Sequence, residues 1–200
     1  MLQQGFRVQP ISISVLTICG IDELPAQGAR TVTHVLSLLD PDWPEIEAFQ
    51  GYGDHHRTTL RFHDIIEPLP GKILPTPEAM AEILRFGSDL EASSRGRKEG
   101  HLLVHCHMGV SRSTAAMTSL LAQVYHEDME DLLFARLREI RPQAWPNSLM
   151  IGHADDLLGR EGRLVAALRR HYGQQVKRDP NFVDWMTRLG RSREVEMAAV

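Results

Sequence analysis

The chain reads as an α/β protein built on a central, mostly parallel sheet of four or five strands with helices on both faces. Two observations carry this reading: short apolar runs of strand length punctuate the chain, and segments with helical apolar spacing lie between them, the alternation that a parallel sheet requires. Ile11 to Ile18 alternates and then runs apolar, as a buried strand does. Thr33 to Leu39 is a second apolar run, closed by Asp40-Pro41-Asp42. Arg57 to Phe62 alternates as a third, and Leu102 to Val104, entered from Gly100, is a short buried fourth. Between the first two strands, Asp22 to Ala29 has room for a short helix only.

Thr76-Pro77-Glu78 combines a capping residue, a first-turn proline and an acid, and Met80, Ile83, Leu84 and Leu90 follow at helical spacing. From Ser111, the residues Ala115, Ala116, Leu120, Leu121 and Val124 repeat the pattern. Met129, Leu132, Leu133, Leu137 and Ile140 form another helix that Arg141-Pro142 stops, and Asn147 caps a further one running toward Gly159.

Two hundred residues suit one core, and 42% hydrophobic with 24% charged residues is ordinary globular composition. The division predicted is a main domain over 1–160 and a helical extension over 161–200, packed on it with an end frayed from Arg191. The extension holds eight Lys and Arg against five Asp and Glu, opposite in sign to the rest of the chain. Its Asp179-Pro180 opens a helix whose Phe182, Trp185, Met186 and Leu189 share one face, a stripe best read as core packing. The net charge of -4 gives no basic footprint for nucleic acid. No apolar run has the length of a membrane span. Two well-separated cysteines and no charged-then-apolar leader point to a reducing, cytoplasmic setting.

One segment concentrates chemistry: Leu102-Leu-Val-His105-Cys106-His107-Met108-Gly109-Val110-Ser111-Arg112-Ser113. A strand ends at a cysteine, a loop with a central glycine follows, and an arginine stands where a helix begins. Such a loop can curl so that successive N–H groups from His107, Met108, Gly109, Val110 and Ser111 point inward, making an anion nest at a helix N-terminus. Arg112 can grip two phosphate oxygens with its planar fork. The same donors favour a thiolate at Cys106, and a thiolate in an oxyanion cradle is a nucleophile aimed at phosphorus. The loop between strand and helix is thus a candidate phosphate-binding loop.

With these residues the sequence resembles the cysteine-dependent protein phosphatases that carry a His-Cys-x5-Arg-Ser/Thr signature, closest to compact dual-specificity-like and bacterial tyrosine phosphatases. The resemblance covers about residues 10 to 160. It implies that Cys106 forms a phosphocysteine, Arg112 binds the phosphoryl group, Ser113 helps the thiolate leave and His105 braces the loop. Phe62-His63-Asp64 stands where the family has its acid loop, with Asp54 and Glu67 as competing acids. Arg138, Pro142 and Pro146-Asn147 look like the segment behind the phosphate site, Asn147 supporting it. The stretch Ser93 to Gly100 reads as an insertion. The expected substrate is a phosphorylated protein, phosphotyrosine first, or a small phosphoester.

Three other readings stand beside it: sulfur or arsenate chemistry, a non-catalytic phosphoprotein-binding module, and phosphoinositide hydrolysis. The loop offers only His107 to a second phosphate. Ten histidines invite a metal site, yet neither Asp54-His55-His56 nor His63-Asp64 has a third ligand at zinc spacing, so no metal and no cofactor are expected. Cys19 reads as a buried free thiol, and Trp43 with Gly51-Tyr52-Gly53 as a candidate rim of the pocket.

Overall fold

The structure, a computed structural model, describes residues 15–93 and 100–198. Ile11 to Ser14 and most of the stretch read as an insertion lie outside them. The strands β1 (Val15–Cys19), β2 (His34–Leu39), β3 (His56–Arg61) and β4 (His101–His105) form one all-parallel sheet in the order β1-β4-β2-β3. The two inner strands, β2 and β4, are buried along their whole length, which is why they read as nearly unbroken apolar runs. Edge strand β3 alternates and stays half exposed.

Register fixes where the site can be. His105 at the end of β4 aligns with Cys19 at the end of β1 and with Ser37 in β2. Cys106 therefore emerges at the carboxyl edge of the sheet, between two neighbouring strands whose following loops flank it.

The two faces of the sheet are covered unequally. Leu36, Leu38, Leu102 and Val104 meet the main helical layer. That layer comprises α2 (Pro77–Ser93), α3 (Arg112–Val124), α4 (Glu130–Ile140), α5 (Ser148–Leu157), α6 (Arg163–Arg178), α7 (Asn181–Arg188) and α8 (Ser192–Met197). Val35 and Leu103, offset by one residue as strand alternation demands, meet Leu24, Val32 and Phe49 on the opposite face. The elements there are a 3₁₀ turn at Ile21–Glu23, the four-residue helix α1 (Leu24–Gln27) and a second 3₁₀ turn at Glu47–Gly51. Helix α3 is buried at every residue from Arg112 to Ala122, so it has no polar face. Its Ser, Thr and Ala residues allow close approach, and Thr114, Thr118 and Ser119 return their hydroxyls to carbonyls one turn back.

Helix α6 has no counterpart among the elements read from sequence, for two reasons. Its start is capped from a distance: Asp155 accepts from Gly162 N at 2.6 Å and Val165 N at 3.0 Å, after a turn with positive φ at Glu161 (53°) and Gly162 (82°). Its buried face also mixes Leu164, Ala167 and Leu168 with His171, Tyr172 and Gln175, whose polar tips hold carbonyls of residues 142–146.

The frayed end expected from Arg191 is not found, because residues 192–197 are helical and Arg191 and Glu194 are buried. Glu194 accepts from Trp145 Nε1 at 2.9 Å and Ser148 N at 2.7 Å, contacts a sequence pattern cannot announce. Phe182 and Met186 of the α7 stripe are buried, Phe182 stacking on Trp145. Leu189 is exposed instead. Among the described residues, no helix is long and apolar enough to cross a membrane.

Asp155→Ala should leave two N-terminal amides of α6 without acceptors. The expected cost is about 1–3 kcal/mol in urea unfolding.

Candidate active site

The loop from Cys106 to Arg112 owes its shape to what grips it from outside. His107 O accepts from Ile21 N at 2.9 Å. Met108 O and Gly109 O accept from Arg141 at 3.1 and 2.9 Å. Val110 O accepts from Trp145 N at 2.8 Å, and Ser111 O from Ala115 N at 3.0 Å. Five consecutive carbonyls thus face outward, and planar trans peptides oblige the N–H groups of residues 108–112 to face the opposite way, inward. Among the described residues, none of these N–H groups has a protein acceptor. They line the wall around the Cys106 thiol, itself only 2% exposed.

Gly109 is required on two counts: its φ is +68°, and a Cβ there would lie 2.5 Å from the Cys19 carbonyl carbon. That close approach follows from β1 and β4 being neighbours.

Arg141 was not among the residues singled out by sequence. The residue matched there was Arg138, which instead donates to His171 Nδ1 at 3.0 Å. Arg141 holds the loop with one side of its fork and Glu23 with the other, at 2.8 Å to each carboxylate oxygen. The Arg141 bond lowers the Glu23 proton affinity against the effect of burial. The position before a helix-ending proline is the available signal, and in the sequence it marks a stop without showing where the side chain goes.

Each expected site residue can be placed. Ser113 Oγ lies 3.2 Å from Cys106 Sγ, and both are buried. Arg112 is buried and donates through Nη1 to Asp40 Oδ1 at 2.7 Å and Phe62 O at 2.6 Å, while its Nε is buried with no partner. An anion in the loop would satisfy that donor. His105 Nε2 meets Ser37 Oγ at 2.7 Å, and burial pushes its pKa down to about 4, so it stands neutral behind the loop. The His107 ring accepts from Asp40 N at 3.3 Å and packs on Trp43 at 4.1 Å. Burial, then Arg112, lowers its pKa, which leaves no cation there for a second phosphate.

Asp64 lies across the cavity from Cys106 and accepts from Ser111 Oγ at 2.8 Å and Asn147 Nδ2 at 3.0 Å. Of the three candidate acids it alone lines this cavity. Asp54 is exposed, and Glu67 is exposed and paired with Arg193 at 2.9 Å. Asn147 doubles as the N-cap of α5, accepting from Met150 N. Arg191, from the C-terminal extension, also reaches Asp64. Sequence reasoning gave it no role.

The cavity measures about 270 Å³, with Met108 and Leu189 as exposed apolar residues at its wall and Lys72 as a further cation. Tyr52 is no part of it. Its hydroxyl donates to Leu24 O at 2.7 Å and its ring meets Phe49, on the other face of the sheet. The second thiol, Cys19, is buried, and burial with the nearby Glu23 pushes its pKa up to about 12. Among the described residues, no three His, Cys, Asp or Glu side chains converge as metal ligands.

Solved structures share this architecture. Human DUSP28 superposes with a TM-score of 0.54 at 18% identity, over 73% of this chain and 92% of its own. The PTP-2 phosphatase of Cydia pomonella gives 0.54 at 17% identity, over 74% and 88%. The fold is that of the dual-specificity phosphatases. A human tyrosine phosphatase-like serine/threonine/tyrosine-interacting protein shares this dual-specificity phosphatase fold, with a TM-score of 0.53 at 16% identity, over 76% of this chain and 96% of its own. In sequence, an alignment 148 positions long, which covers 72% of this chain, is 37% identical to human protein phosphatase Slingshot homolog 3 and spans 19% of that protein's length. No protein-family model matches the chain.

Gly109→Ala should strain the loop and press on Cys19. Phosphate or vanadate affinity, measured by calorimetry, should fall at least about tenfold while the far-ultraviolet spectrum stays unchanged.

Proposed function

We propose that this chain hydrolyses phosphate monoesters through a phosphocysteine intermediate, with phosphotyrosine in proteins as its leading substrate class. One observation carries the proposal: inward N–H groups and the unpartnered Arg112 Nε surround a buried thiol at a helix N-terminus. That is a cradle for an anion centred on phosphorus, with the nucleophile at its base.

The steps follow from the placement. Cys106 Sγ attacks phosphorus as the bond to the leaving oxygen breaks, and Asp64 gives that oxygen its proton. The three equatorial oxygens lie against the loop amides and Arg112. Arg112 keeps its orientation through Asp40 and the Phe62 carbonyl, so its fork is pre-organised. Water then attacks the phosphocysteine, Asp64 takes the water's proton, and the S–P bond breaks with its electrons on sulfur. Ser113 donates to that departing thiolate.

In the free protein Asp64 favours its ionised form. Burial alone would raise its proton affinity, but Arg191, Arg112 and the bonds from Asn147 and Ser111 bring it below the usual range. A bound phosphate dianion acts in the opposite direction and returns the proton.

The apolar wall of Met108 and Leu189, with Trp43 behind His107, supports an aromatic leaving group. A second reading, hydrolysis of a phosphoinositide or another small phosphoester, draws on Lys72 beside the cavity. The fold also occurs in the interacting protein named above, so fold alone does not decide for catalysis. Retention of Cys106, Arg112 and Asp64 around one cavity supports turnover.

Phosphate release from a phosphotyrosine peptide tests the proposal, with phosphoserine peptide and inositol phosphates compared by kcat/KM. Cys106→Ser should abolish release but keep binding, and its retaining activity would overturn the assignment. Iodoacetamide should label Cys106 and spare Cys19, with phosphate protecting. Arg112→Lys should lose about 10²- to 10³-fold, since a point charge cannot replace the fork.

Asp64→Asn should slow a phosphotyrosine peptide by about 10²- to 10⁴-fold and an activated aryl phosphate much less. It should also flatten the alkaline limb of the pH profile, because that limb reports loss of the acid's proton. If Glu67→Gln or Asp54→Asn does this instead, the acid is elsewhere.

A further inference from the structure

The C-terminal extension supplies a wall of the cavity through Met186, Leu189 and Arg191. Helix α7 ends in a Schellman turn: Gly190 takes a φ of +75°, Gly190 N donates to Thr187 O at 3.0 Å and Arg191 N to Met186 O at 2.8 Å. That turn carries the Arg191 side chain to the mouth of the phosphate loop. Arg191 is 4% exposed, and its Nη2 donates to Asp64 Oδ1, to Asp64 O at 2.8 Å and to Ser111 Oγ at 3.1 Å. Glu194 lies 3.6 Å from Nη1 and is itself tied to Trp145 and Ser148.

Among the described residues, the three side-chain donors to the Asp64 carboxylate, from Ser111, Asn147 and Arg191, converge on Oδ1. Among the described residues no donor reaches Oδ2, although Asp64 lines the cavity and its side chain is 31% exposed. Oδ2 is therefore the oxygen open to the cavity and to a leaving group bound in it.

We propose that Arg191 is a positioning residue for the general acid: by fastening Oδ1 and the Asp64 backbone it turns Oδ2 toward the leaving oxygen, so residues beyond 160 complete the catalytic site. The proposal rests on the phosphocysteine reading above. Orientation of this kind is worth a large rate factor, because a proton must pass along a short, aligned path. Arg191 also sets the pH range over which the acid holds its proton. The charged and titratable groups around the carboxyl are Arg191 from the extension, with Glu194 behind it, Cys106, His107 and Arg112 from the phosphate loop, Asp40, His63 and Lys72 along the same cavity, and Tyr172 from α6. Arg191 is foremost among those that lower its proton affinity. Its removal should raise that affinity, keep Asp64 protonated to higher pH and move the alkaline limb upward.

The test compares the full chain with Arg191→Met and Arg191→Lys on two substrates, phenyl phosphate and 2,4-dinitrophenyl phosphate, across pH. The first needs a proton on its leaving oxygen and the second does not. Arg191→Met should lose about tenfold or more on phenyl phosphate, stay within about threefold on the dinitrophenyl ester, and show its alkaline limb at higher pH. Arg191→Lys should return the limb toward its original position, because the charge is restored, while recovering only part of the phenyl phosphate rate. Equal losses on both substrates with an unmoved limb would show a merely structural role and overturn the proposal, as would no loss at all. If Arg191→Met fails to fold, an unchanged ratio of the two rates in Arg191→Lys overturns it. These outcomes are separate from failure of the phosphatase reading, which would appear as absent or Cys106-independent phosphate release in the unaltered chain, and with it this proposal would fall.

Discussion

The site depends on the direction in which five peptide groups point. An amide plane cannot place its N–H and its C=O on the same side, so donors that fasten the carbonyls of residues 107–111 from outside turn the N–H groups of 108–112 inward. Those donors come from the turn after β1, from Arg141 at the end of α4, from the segment before α5 and from α3. The anion cradle is therefore a property of the assembled fold and not of the loop sequence alone. Helix α6 acts at one remove, since its His171 and Gln175 hold the carbonyl of Ala144, next to the Trp145 amide that holds Val110.

Charge is distributed by residue type. The buried histidines behind this apparatus, His105 and His171, are pushed down to about 4 by burial and serve as neutral hydrogen-bonding spacers. Positive charge is left to arginines, whose forks each join two partners: Arg112 joins Asp40 to Phe62, Arg141 joins Glu23 to the loop, and Arg191 joins Asp64 to Ser111. A planar, permanently charged group suits a buried junction, because it cannot relieve its desolvation by giving up a proton.

Much of this architecture was legible in the sequence. The four strands announce themselves because β2 and β4 are sandwiched and therefore apolar throughout, and α2 and α5 because Thr76-Pro77 and Asn147 begin them with local chemistry. Cys106, Gly109 and Arg112 are legible because their spacing is itself the loop geometry. What escaped was held together by long-range contacts. Helix α6 is capped by Asp155 rather than by a neighbour, Arg141 stands in for Arg138 because it is the extended residue that ends α4 and reaches the loop while Arg138 in the last turn meets His171, and Tyr52 turns to the other face of the sheet. The burial of Arg191 and Glu194 has no periodicity to betray it, since their partners lie in three distant segments.

The bond between Arg191 and Asp64 spans 127 positions of the chain. A contact of such span forms only after the intervening segments have found their places, because its closure entropy must be met by packing already gained. In biosynthesis, Arg191 leaves the ribosome after Asp64 and Ser111, the residues it donates to. A nascent chain could thus build its sheet, its thiol pocket and its phosphate loop while the carboxyl at Asp64 still turned freely. The acid would be the last part of the site to acquire its shape, and the first to lose it when the end of the chain is loosened.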